Sequence, residues 1–399
     1  MAYKILFLCN KSPWPPKEGG PMAMNELIEG LAKAGNRVKV LAVNSYKYSV
    51  SPEDIPDDYR QLTQIEFIRL NLKPNPFAAL YNWIRGRSYH VQRFISKAFE
   101  AKLQTILQAE SFDIVQLETL FMAPYVKTIR AHNRAKIVLR AHNIEHVIWQ
   151  RISQQEHSRL KKIYLNHLAK SLEKYERSVL NQLDGILPIS GKDAQFFQDN
   201  CHKPVKSIPF GLEASKPQSS PTSGHEATIV HIGAMNWMPN QEGIRWFLEQ
   251  VWPRLLEKVP TAKLRLAGRE IPQWLLNYHA KGVEVPGEVQ DAVSFLRSGS
   301  ISIAPLLSGS GIRIKILESM NQGLAVVSTR IGAEGIQYQA GKNILIADTP
   351  TDFAKSLQFL IEHPEKAREI GKSAQNLVAE KYHHASIIHQ IQAFYQEIL

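Results

Sequence analysis

The feature that most constrains this chain is an alternation of short apolar runs with helical patterns, which proceeds, stops and starts again. In the first series the apolar runs fall at 4–9, 37–43, 65–70, 114–117, 137–139 and 185–189. Helical spacing fills 22–34, where Gly35-Asn36 ends it, then 91–108, and then a long stretch from about 148 to 183. Runs this short and uniformly apolar suit strands buried on both faces, which calls for a parallel sheet with helices above and below. A polar segment at 217–224, rich in Pro and Ser, interrupts the series and reads as a linker. The second series has runs at 227–232, 264–267, 283–285, 300–304 and 325–328, with helices across 241–258 and from about 313. The expected fold is α/β: two doubly wound, Rossmann-like domains at 1–205 and 206–383, with the cleft between them as the natural site. A last helix, at about 384–399, can pack back on the first domain or on the second. A length of 399 residues suits two domains.

Composition narrows the classes of function. With 44% hydrophobic and 21% charged residues the chain has the makeup of an ordinary globular protein, which excludes a disordered or fibrous one. Its two cysteines, Cys9 and Cys201, cannot form a disulfide framework and lack metal-site spacing, so a reducing, cytosolic setting is expected. No segment approaches the ~20 apolar residues of a membrane span, and the N-terminal apolar run reads as a buried strand rather than an export signal. The net charge is +11. It is unevenly shared: residues 1–205 hold 29 Lys and Arg against 19 Asp and Glu, whereas 206–399 hold 19 against 18. A basic half beside a balanced half suggests two domains with different partners.

The densest chemistry lies at 304–328. A strand ends at Ala304, and a loop with Gly309, Ser310 and Gly311 leads through Ile312 into a helix. Small residues there let backbone N–H groups approach an anion at a positive helix end. Arg313 and Lys315 at the start of that helix oppose its macrodipole, a cost that a bound phosphate would relieve. A guanidinium fork and an ammonium point charge together suit a diphosphate. Glu318, further along, can accept two hydrogen bonds from a ribose diol. The same residues also fit an ordinary loop followed by a solvated helix.

From Glu318 the chain reads Glu-Ser-Met-Asn-Gln-Gly-Leu-Ala-Val-Val-Ser, which resembles the E-A-M-A-x-G-x-P-V-V signature of the family-4 retaining glycosyltransferases. The resemblance covers most of the chain. The 13–20 segment is similar to that family's glycine loop, Asp113-Ile-Val-Gln-Leu-Glu118 to its D-v-v strand, and the 184–190 and 208–213 segments to later motifs. Gly233-Ala-Met-Asn-Trp-Met-Pro-Asn240 and Arg140-Ala-His-Asn-Ile-Glu145 resemble a bacterial branch linked to exopolysaccharide clusters.

The resemblance implies a GT-B fold of two facing Rossmann-like domains. It implies transfer of a hexosyl unit, with retention, from a UDP- or GDP-linked sugar to a glycan or polyprenyl-diphosphate-linked acceptor in surface polysaccharide synthesis. The nucleotide sugar is then a substrate and no further cofactor is expected. Gly19, Gly20, Gly233, Asn240, Gly309, Ser310, Gly311 and Ile312 are the expected donor-binding residues, and Glu318 contacts the ribose. Two departures stand out. Ser310 occupies the position of a frequent second Glu, and the family's Arg and Lys after the first strand of the second domain have no clear match. Arg313 and Lys315 are expected to take over the diphosphate.

His142 lies just past the 137–139 strand, where a strand's C-terminal end points into an α/β site. Its imidazole can hydrogen-bond a sugar hydroxyl or bias transition-state charge. Arg140, Asn143 and Glu145 are the expected acceptor-side companions, with Glu145 able to anchor the His, contact the acceptor or cap the next helix. His132, His146, His383 and His384 read as surface residues. No Asp-x-Asp motif flanked by apolar residues is present, so metal-independent transfer is expected.

The surplus charge clusters at 127–140, around Trp83-Ile-Arg-Gly-Arg-Ser-Tyr89, and on the long helix. Such a surface fits peripheral association with an anionic membrane, at the inner face of the plasma membrane, or simply a solvated face. No nucleic-acid signature is present, so no nucleic-acid partner is expected. Two other readings stay open: a nucleotide-sugar epimerase or hydrolase on the same scaffold, and a non-catalytic basic binding protein.

Overall fold

The structure, a computed structural model, describes residues 2–16, 19–47, 49–213, 228–309 and 312–399, without the side chain of Gln155. The segment read as a linker, 217–224, and the loop residues Ser310 and Gly311 lie outside the described residues. The chain divides into two compact units, one of Met1–Gly211 with Ala385–Leu399 and one of Leu212–His384.

Six strands build the sheet of the first unit: β1 (Lys4–Cys9), β2 (Arg37–Ser45), β3 (Glu66–Leu70), β4 (Ile114–Glu118), β5 (Lys136–Ala141) and β6 (Gly185–Pro188). They lie in the order β3-β2-β1-β4-β5-β6. All neighbours are parallel. Alternation along β1 serves two cores. Ile5, Phe7 and Cys9 face the helix Gly19–Lys33 and the C-terminal helix, while Leu6 and Leu8 face Phe99, Leu103 and Leu172. This two-sided burial is why the strands read as unbroken apolar runs.

The second unit repeats the plan with β7 (Thr228–Ile232), β8 (Lys263–Ala267), β9 (Val283–Gly287), β10 (Ile301–Ala304), β11 (Ala325–Ser328) and β12 (Leu345–Ile346). The order is β12-β11-β10-β7-β8-β9. Read from β9, both sheets follow the 3-2-1-4-5-6 plan, whose switch point falls between the first and fourth strands. That is β1/β4 in one unit and β7/β10 in the other.

The last helix, His384–Ile398, belongs to the first unit. Ile387, Ile388, Ile391, Phe394, Tyr395 and Ile398 enter its core, each worth about 1.5–3 kcal/mol of burial. Gly185 permits this approach, because a Cβ there would lie 2.7 Å from the Phe394 ring. The first unit also extends to Gly211, past the 205 boundary drawn from sequence. β6 carries the following segment, through Lys206 N–H donating to Ile186 and Ile208 N–H to Pro188.

The long helical stretch expected from about 148 to 183 is two helices, Glu145–Gln155 and Arg159–Leu180. Ser153 holds the break, its hydroxyl bonding the Lys162 carbonyl and Asn166 Oδ1. The 91–108 helix begins later, at Lys97, where Ser96 caps Phe99 N–H. The 241–258 helix carries a π-turn at Phe247–Val251, followed by Trp252 and Pro253.

Candidate active site

At the switch point of the first unit, Glu118 ends β4 beside Cys9 of β1. Its carboxylate is fully buried and is held from two sides. Gln116 Nε2 donates to Oε1 at 2.6 Å, and His142 Nε2 lies 2.7 Å from Oε2. An ionised Glu118 accepts from Nε2–H and leaves Nδ1 as the imidazole's second nitrogen for a substrate. Gln116 in turn accepts a hydrogen bond from the Tyr395 hydroxyl of the C-terminal helix. A line of polar groups therefore runs Tyr395–Gln116–Glu118–His142, closed at the outer end by a His side chain that is 12% exposed.

Two further features mark this end of the sheet. Thr119, directly after Glu118, has φ +83°, a value a β-branched residue adopts only under strain of about 1–3 kcal/mol. Asn10 follows β1, and its Oδ1 is buried without a hydrogen-bond partner. Backbone strain and an orphaned acceptor at a switch point are what a functional site leaves behind.

The expected companions of His142 separate. Arg140 is 5% exposed, and its guanidinium donates to the backbone carbonyls of Leu187, Ile208 and Pro209. It ties down the chain after β6 and counters the Glu118 charge, so it is not an acceptor-side surface residue; burial lowers its pKa to about 10. Glu145 does not anchor His142. It opens the helix Glu145–Gln155, and burial with the neighbouring Glu176 charge pushes its pKa up to about 8. Asn143 is half-buried in the turn between them. His146, read from sequence as a surface residue, is 4% exposed and pairs through Nδ1 with Glu176 Oε2 at 2.5 Å. Gly19 and Gly20 are the first residues of the helix Gly19–Lys33 rather than of a loop, and a Cβ on Gly20 would strike the Lys11 ammonium.

The switch point of the second unit has the opposite character. Gly233 directly follows β7, and a Cβ there would meet Asn240 Nδ2 at 3.0 Å, His231 Nε2 at 3.3 Å and Lys315 Nζ at 3.4 Å. Only a glycine leaves that space open. Lys315 Nζ donates to Asn240 Oδ1 at 2.6 Å, and Asn240 Nδ2 donates to the Ala234 carbonyl. Desolvation and then the Arg313 charge lower the Lys315 pKa to about 7. His231 donates from Nδ1 to the Ile303 carbonyl of β10, so its Nε2 is an acceptor, buried with no partner. Burial, and after it the Lys315 charge, hold this imidazole neutral.

Arg313 precedes the helix Ile314–Asn321, 6% exposed, with its guanidinium 5.1 Å over the Trp237 ring. Gly309 has φ +107°, and a Cβ on it would meet both Arg313 Nη2 and Trp237. Glu318 lies on the same helix, and burial raises its pKa. Ile312 packs with Ile316 and Leu317. The structure thus brings Gly233, Asn240 and Lys315 into one cluster and Gly309 and Arg313 into contact. Among the described residues no group of three or more His, Cys, Asp or Glu is placed to hold a metal ion.

Sequence reading missed Glu118, Asn10, His231 and Trp237 as site residues. The one available signal was His231, a polar ring inside an otherwise apolar strand.

Comparison with known families decides the identity. Residues 19–216 match the model described as Glycosyltransferase Family 4, and residues 226–363 match that described as Glycosyl transferases group 1. The chain belongs to the family-4 glycosyltransferases. Solved structures with the same two-domain fold support the assignment at the level of fold. HepE of Anabaena in complex with UDP and glucose gives a TM-score of 0.65 at 14% identity, over 99% of this chain and 100% of that one. Sucrose-phosphate synthase of Thermosynechococcus elongatus gives 0.69 at 16% identity, over 99% of each. In sequence, this glycosyltransferase is 25% identical over 395 residues to a 44.6 kDa protein of the cps region of Klebsiella pneumoniae, covering 95% of this chain and 96% of that one.

Proposed function

We propose that this glycosyltransferase moves a hexosyl unit, with retention and without a metal, from a nucleoside-diphosphate sugar to a glycan or lipid-linked acceptor in bacterial surface polysaccharide synthesis. The observation that carries the reading is the cluster at β7/β10: a glycine-cleared space faced by Lys315, Asn240 and a neutral His231, with Arg313 nearby. Two cations beside backbone that a glycine leaves open suit a diphosphate. Glu318 takes the ribose diol in this reading. The donor is UDP- or GDP-linked, in keeping with HepE, which is described with UDP and glucose. The cps-region relative supports the polysaccharide setting, and the reading places the enzyme in the cytoplasm.

In the transfer, the acceptor oxygen bonds to the anomeric carbon on the face from which the diphosphate leaves. The bond from that carbon to the β-phosphate oxygen breaks, and the departing phosphate takes the acceptor's proton. The protein's task is to stabilise charge on the β-phosphate and to orient the sugar. Lys315 and Arg313 serve the first task, and His142, oriented by Glu118, serves the second.

The test is a screen of UDP- and GDP-sugars for thermal stabilisation, followed by product analysis with the stabilising donor. A glycosylated acceptor of unchanged anomeric configuration supports the reading. Isomerisation of the donor without an acceptor would point to an epimerase, and absence of any nucleotide-dependent shift to a non-catalytic protein.

A further inference from the structure

The helix Pro76–Ile84 leaves an apolar face uncovered. Phe77, Leu80, Tyr81 and Ile84, at spacings of three, four and seven, form one stripe along it, with Phe77 85% and Ile84 78% exposed. The opposite side is anchored. Asn82 is buried, and Trp83 meets Tyr164 edge-on at 5.5 Å and His167 at 5.7 Å. The Trp83–Tyr164 contact packs this helix against the first turns of the helix Arg159–Leu180, where Leu160 is 82% exposed and Ile163 is exposed too.

Charge along the two segments that carry these residues has one sign. Residues 71–99 contain Lys73, Arg85, Arg87, Arg93 and Lys97 and no acid. Arg159, Lys161 and Lys162 flank Leu160 and Ile163, and residues 157–172 likewise contain no acid. Monomeric proteins rarely leave large contiguous apolar patches in water. No helix among the described residues is long and apolar enough to cross a membrane.

We propose that this face is a docking surface for an anionic lipid bilayer, with Phe77, Leu80, Tyr81, Ile84 and Leu160 entering the acyl boundary and the surrounding cations meeting lipid phosphates. An apolar stripe ringed by Lys and Arg is the pattern of an interfacial helix, and basic residues near the surface draw it to anionic lipid. The inference stands on this surface alone and does not depend on the transfer reading.

The test is co-sedimentation of the full chain with vesicles of phosphatidylcholine alone and of a phosphatidylcholine–phosphatidylglycerol mixture. The wild-type chain binds the mixture and not the neutral vesicles. F77D/I84D and, separately, R85E/R87E lower that binding by about tenfold while the melting temperature stays unchanged. Brominated-acyl lipid quenches a tryptophan introduced within the stripe by L80W more strongly than the tryptophans of the wild-type chain. The proposal is overturned by equal binding to both vesicles, by unchanged binding of F77D/I84D, or by a dimer that F77D/I84D dissociates in the absence of lipid.

Discussion

The two sheets share one strand order, yet their switch points carry opposite chemistry. At β1/β4 a buried carboxylate, Glu118, is held by Gln116 and by His142. At β7/β10 the groups are cationic or neutral: Lys315 on Asn240, and His231 with an unpartnered Nε2. The backbone plan therefore supplies a place and the side chains supply the task. In the proposed function the cationic end takes the diphosphate, and the carboxylate–imidazole end takes the sugar.

The contrast can be broken by substitution. The largest effect is expected for R313A/K315A, which should lower affinity for UDP or GDP by about 10²–10⁴-fold, because charged hydrogen bonds are each worth about 1.5–3 kcal/mol. Isothermal titration reads this directly, and an affinity equal to wild type would remove the diphosphate role.

Next come H142A and E118Q. Turnover of the donor identified by screening should fall by about ten- to a hundredfold, with nucleotide affinity unchanged. A fall in nucleotide affinity instead would mean that the two ends do not divide the work.

A smaller effect, graded with pH, follows from Lys315. With its pKa lowered to about 7 in the free protein, it is cationic below pH 7 and largely neutral above it. Nucleotide affinity should therefore weaken several-fold between about pH 6.5 and 8.5. The stability linkage runs the other way. Lys315 binds its proton less tightly folded than unfolded, so its contribution rises with pH from about 7 towards the ordinary lysine value near 10. K315M should flatten both profiles.

The smallest effect on activity is expected for Y395F. It strips Gln116 Oε1 of its donor in a dry site, at a cost of about 1–3 kcal/mol in urea unfolding, while turnover changes only a few-fold. Near-complete loss of turnover would make Tyr395 part of the chemistry rather than a support for Glu118.

How much of this was legible follows from range. Strands buried on both faces announce themselves locally, and the 4–9 and 325–328 runs coincide with β1 and β11. Two-residue β12 has no such signal. The break between Gln155 and Arg159 contains neither Gly nor Pro, and it is set by Ser153 reaching Lys162 and Asn166. The 304–328 loop and helix could be read because Gly309, Arg313 and Lys315 sit close together in the chain. Glu118 could not be read as the partner of His142, 24 residues away, nor Tyr395 as the partner of Gln116, 279 residues away. His146 looked like a surface residue for the same reason, since Glu176 stands 30 residues on. Nothing local distinguishes a carboxylate that ends a strand in solvent from one that ends it against an imidazole.

The central claim is that the β7/β10 end binds the nucleotide diphosphate and the β1/β4 end does not. Calorimetric titration of UDP and GDP at pH 8, in two buffers of different ionisation enthalpy, tests it most directly. The account predicts that one nucleotide binds with uptake of a proton by Lys315, that K315M loses the uptake and most of the affinity, and that H142A keeps both. Binding by K315M with wild-type affinity and wild-type proton uptake would contradict it.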